Sequence, residues 1–178
     1  MLQASMFTEA SAIGELSLQL VYYRAVNECK ASGWVTDSAQ LAALMVKIRC
    51  ESGATQIGRI LDHSLTETAK QKVSALVFVG DKMEEDADTL IAKARELGRA
   101  QTLVFMVQEG DDRLAESVFK KIAAASGGAY ATFDEGGIRK LGETLRAVAL
   151  VVVGGVQVLE GRQDEASTLL LEQMRRNG

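Results

Sequence analysis

Residues 73–81 read VSALVFVGD, and their pattern decides the fold. Six of the first seven are apolar, without alternation, and the run stops at Gly80-Asp81. A strand with one wet face alternates between polar and apolar residues, whereas a continuous run of Val, Leu and Phe belongs to a strand covered on both faces. Working outward, the same form recurs at residues 102–107 (TLVFMV), which stop just before Gln108-Glu109-Gly110-Asp111. It recurs again at residues 129–133 (AYATF), which follow Gly127-Gly128. Residues 16–22 (LSLQLVY), after Gly14, make a fourth strand-like run.

Helix-length segments lie between these runs. Residues 37–49 carry Leu41, Leu44, Met45 and Ile48 at helical spacing, and residues 55–70 carry Ile57, Ile60, Leu61 and Leu65. Residues 84–97 and 112–125 each open with acids, which the positive end of the helix dipole favours. Alternation of strand and helix implies βαβ units and a parallel sheet. Right-handed crossovers then put helices on both faces. The expected fold is α/β: a three-layer α/β/α, Rossmann-like arrangement with a mostly parallel sheet. Residues 31–35 are expected to add one antiparallel edge strand.

The two ends depart from that scheme. A helix-like segment at residues 2–13 precedes every strand, so the parallel domain opens one element late. Residues 138–153 and 166–175 read as helices, with Gly154, Gly155 and Gly161 between them. We divide the chain into an α/β domain, 1–155, and a C-terminal helical tail, 156–178. The tail either packs on the sheet or offers a surface to a partner.

The chain's 178 residues suffice for a buried core. The net charge is −4, and acids such as Glu84, Glu85 and Asp86 are interleaved with Lys93, Arg95 and Arg99. Nucleic acid is not the expected partner, because phosphate binding calls for a clustered basic surface. Cys29 and Cys50 lack C-x-x-C spacing and suit a reducing compartment. No signal peptide is visible, and the longest apolar run, starting at Ala147, is shorter than the roughly 20 residues a membrane helix needs. The expected location is cytoplasmic, with no membrane partner.

In open α/β sheets, ligands bind beyond the carboxyl ends of the strands. Three loops there carry polar groups. Asp81 ends a buried strand, where a carboxylate either binds a hard cation such as Mg2+ or helps start the next helix. Thr55, after Ser52-Gly53-Ala54, offers a hydroxyl either to the same cation or as a helix cap. Glu109, Asp111 and Asp112 read as solvated helix-start acids. His63, the only histidine, lies in a helical segment with no second ligand beside it. Neither cysteine has a histidine near it in sequence, and no phosphate-binding glycine loop follows a strand. Tyr22, Tyr23 and Trp34 read as packing or hairpin aromatics.

Taken together, several segments resemble a von Willebrand factor type A domain. They are Gly53-Ala54-Thr55, the strand ending in Gly80-Asp81, and Ser126-Gly127-Gly128-Ala129-Tyr130. More narrowly, QLVYYR, ATQIGRIL and ALVFVGDKMEED resemble segments of bacterial cytoplasmic proteins of that type. The resemblance covers roughly residues 5–155. It implies a metal-ion-dependent adhesion site with one divalent cation, Mg2+ or Mn2+, in intact relatives. Thr55 would be the second-loop ligand and Asp81 the third. The first-loop motif, D-x-[ST]-x-S, does not occur in this sequence. One carboxylate and one hydroxyl fall far short of the six oxygens Mg2+ prefers, so the expectation is weak or absent metal binding.

The resemblance further implies that the missing first strand is central. Its neighbours then either pair directly or recruit another chain, so self-association through exposed strands is expected. The expected function is a non-enzymatic protein-binding module. The alternative is a divalent-cation-dependent hydrolase or phosphoryl-transfer enzyme using Asp81; no nucleophile–base pair is visible for it.

Overall fold

Leu103–Glu109 (β4) forms the spine of the molecule. Its residues Val104, Phe105, Met106 and Val107 are each no more than 1% exposed. The strand pairs in parallel with Ala75–Gly80 (β3) on one side and Tyr130–Phe133 (β5) on the other. Leu76 stands opposite Val104, and Met106 opposite Tyr130. A computed structural model describes residues 12–24, 28–37, 39, 40, 43, 55–133 and 137–178.

Both faces of β4 are covered, as its uninterrupted apolar run requires. Val104 and Met106 join Phe78 and Tyr130 on one face. That face is packed by Ile57–Lys70 (α1), Ala87–Arg99 (α2) and Arg113–Ser126 (α3). Phe105, on the opposite face, packs with Ala147 through Val151 of Ile138–Gly154 (α4). The tail belongs to that second layer. A 3-10 turn at Val156–Leu159 buries Leu159, and Glu165–Asn177 (α5) contributes Ala166 and Leu170. The chain is therefore α/β, with helices on both faces of a parallel sheet.

The run Ser126-Gly127-Gly128 has a packing reason. Gly127 takes φ 81°, the left-handed conformation that ends α3, and its N–H bonds the Ala123 and Ala124 carbonyls. A Cβ on Gly128 would sit 2.1 Å from the Val104 carbonyl oxygen. Only glycine lets the chain pass so close to β4 on entering β5. Ser126 Oγ accepts from Val104 N–H at 2.8 Å, which closes the start of the strand.

The antiparallel element is a hairpin, Val21–Arg24 (β1) with Glu28–Ala31 (β2). It forms its own two-stranded sheet rather than an addition at the edge of the parallel one. The ladder continues only as a single bridge, Leu18 with Val35. Between them the Ser32 hydroxyl takes the Leu20 N–H at 3.0 Å, and that side-chain bond breaks the regular pairing. The strands are consequently shorter than residues 16–22 and 31–35, the first lying later in the chain and the second earlier. Most of the helical segments expected at 2–13 and 37–49 lies outside the described residues, as do Ser52-Gly53-Ala54 and Cys50. No described helix is long and apolar enough to cross a membrane.

Candidate functional site

The helix α1 begins without a cap of its own. Gln56 precedes it but makes no side-chain cap bond, and the first turn holds no acid. The first N–H groups of any helix need acceptors from elsewhere. Here they come from the loop after β3. Glu85 Oε1 accepts from Ile57 N–H at 2.5 Å, and Glu85 Oε2 accepts from Gly58 N–H at 2.9 Å. A Cβ on Gly58 would lie 2.8 Å from that second oxygen, so the missing side chain makes room for the carboxylate.

Just before these groups in each segment, Thr55 and Glu84 exchange bonds. Glu84 Oε2 accepts from Thr55 N–H, and Thr55 Oγ1 accepts from Glu84 N–H, both at 3.2 Å. This is the reciprocal chemistry of a capping box, made between two loops instead of within one turn. The same loop is anchored by Met83, which is 8% exposed and sits in the core. It then ends at Asp86, which caps α2 by accepting from Thr89 N–H at 2.9 Å. The helix therefore starts at Ala87, three residues later than the sequence pattern suggests. Glu84 and Glu85 are not its first-turn acids, because Met83 and the α1 amides pull them aside.

Thr55 and the segment holding Asp81 thus meet at the carboxyl rim of β3. Asp81 itself is exposed and caps neither helix. Tyr23 of β1 completes the corner. Its ring stacks on Phe78 with centroids 6.3 Å apart and planes 4° from parallel, and Phe78 meets Phe119 edge-on. Burial raises the Tyr23 hydroxyl pKa, and the charges of Asp81, Glu85 and Glu84 push it the same way. The corner is a field of negative charge beside an aromatic wall.

These donors do not assemble a cation cage. Both Glu85 oxygens and one of Glu84's accept from backbone amides, and the Thr55 hydroxyl accepts from a fourth. Among the described residues no three His, Cys, Asp or Glu side chains gather where they could hold an ion.

Of the remaining candidates, Asp112, His63 and Trp34 have structural partners. Asp112 caps α3 by accepting from Ala115 N–H at 2.8 Å. Glu109 and Asp111 are exposed. His63 Nε2 contacts Gln19 Oε1 at 2.8 Å, docking α1 on the chain leading into β1. Burial raises the Cys29 thiol pKa, against the opposing charge of Arg59, which disfavours the reactive thiolate. Trp34 Nε1 donates to Glu67 at 3.0 Å. The sequence reading missed Met83, Glu84 and Glu85. The signal that could have found them was the uncapped start of α1.

A scan against protein-family models matches none, and a search of curated proteins returns no match.

Proposed function

We propose that the chain is a protein-binding module of von Willebrand factor type A kind. It works through the corner where β3 ends and through the edge of β3, without a resident cation. The observation that carries the reading is the joining of Thr55 to the Asp81–Asp86 segment, which brings residues from two loops to one rim beside Tyr23. A second observation supports it. The hairpin adjoins the parallel sheet through the Tyr23–Phe78 stack, yet no described strand of one sheet pairs with a strand of the other. That arrangement is expected when the central first strand of the resemblance does not lie between them. The partner class is protein, starting with a second copy of this chain at the β3 edge.

The chemistry at the rim favours binding over turnover. Asp81 is an exposed carboxylate with no described base or nucleophile bonded to it, burial disfavours the thiolate of Cys29, and the imidazole of His63 is committed to Gln19. Calorimetric titration with Mg2+ or Mn2+ tests the cation part of the proposal. The expected result is no saturable heat at micromolar metal. Micromolar affinity that disappears in Asp81→Ala would overturn it.

A further inference from the structure

We propose that Glu84, Glu85 and Thr55 form a latch that makes the start of α1 and the loop after β3 open and close as one unit. The proposal concerns the conformation of the rim and stands whether or not the rim binds protein.

Four hydrogen bonds cross between the two segments and none of them is local. The carboxylate of Glu85 holds Ile57 and Gly58, and Thr55 and Glu84 hold each other. The latch has a covalent anchor on each side: α1 proper behind Gly58, and buried Met83 beside Glu84. Among the described residues helix α1 has no substitute acceptor, since the Gln56 side chain does not cap it and its first turn carries no acid. Losing the Glu85 contact would therefore strip the first turn of α1. The released turn would no longer position Thr55 as acceptor for the Glu84 amide. The reverse path is equivalent: freeing Glu84 from Thr55 unpins the residue next to Glu85. The other two helix starts at this end of the sheet differ in kind. Asp86 and Asp112 each cap the helix that follows them directly, so their bonds are local and independent of the latch.

Amide hydrogen exchange on the full chain tests the coupling. Glu85→Gln should speed exchange of the Ile57 and Gly58 amides by about tenfold or more, the scale of a lost charge-assisted bond. It should also speed the Glu84 amide, whose acceptor the substitution leaves intact. Thr55→Val should in turn speed Ile57 and Gly58, while Thr89 and Ala115, bonded to the local caps, stay unchanged. If each substitution affects only the amides whose acceptor it removes, the latch does not exist. If Glu85→Gln unfolds the chain or speeds exchange everywhere, the outcome for Thr55→Val decides.

Discussion

The two sides of the parallel sheet are finished in opposite ways. At β5 the chain closes its own edge: Gln173 of α5 accepts from Tyr130 N–H at 2.9 Å and donates to the Tyr130 carbonyl at 2.7 Å. Its amide thus stands in for a neighbouring strand, and Asn177 donates to the Gly128 carbonyl at 2.9 Å. At β3 no described strand pairs along the outer side, and Val79 is 41% exposed. The strand carries no Lys or Pro, the residues that discourage pairing with another chain. One edge is satisfied from within, and the other has no strand beside it among the described residues.

Loosening the closed edge should have the largest effect. Leu170 is 1% exposed and fixes α5 to the second layer. Leu170→Ala should cost about 2–5 kcal/mol of stability, read from urea unfolding. A loss below about 1 kcal/mol would mean that α5 does not hold that layer. Gln173→Ala removes only the strand mimic and leaves buried Tyr130 backbone groups unpaired, at a cost of about 1–3 kcal/mol. An unchanged midpoint would remove the claim that the edge is closed by this amide.

A smaller effect comes from acid. Asp164 caps α5, accepting from Ser167 N–H and Ser167 Oγ, both at 2.9 Å. Burial works to raise its pKa, but the Ser167 bonds and Arg162 outweigh burial and hold it below the ordinary value. A depressed carboxylate contributes its full stability above the unfolded value of about 3.9. The contribution is lost as pH falls through the lower folded value. Asp164→Asn should therefore flatten the pH dependence of stability below about pH 4 and leave the neutral side unchanged in slope.

The smallest stability change belongs to the open edge. Val79→Lys should fall within about 0.5 kcal/mol of the parent by urea unfolding, because the side chain already meets solvent. A large loss would show that something within the chain covers Val79.

The layered sheet is legible in the sequence because β3 and β4 are continuous apolar runs and β5 follows a glycine pair whose second member nothing larger could replace. The hairpin is legible in kind, but its register is not. Nothing in residues 31–35 announces that the Ser32 hydroxyl will intercept a backbone bond. The rim is half legible. Thr55 and Asp81 stand out as polar residues at strand and helix ends. Glu84 and Glu85 look like first-turn acids of the nearest helix, although Glu85 caps a helix 27 residues behind it. Proximity in sequence is a poor guide where a buried neighbour such as Met83 turns the chain.

Static light scattering from a few micromolar to several hundred micromolar, on the parent chain and on Val79→Lys, tests most directly whether the β3 edge is the working surface. A mass that climbs toward the dimer with concentration in the parent, and stays at one chain in the variant, is the predicted result. A parent that remains a single chain throughout, or a variant that associates as strongly as the parent, would contradict it.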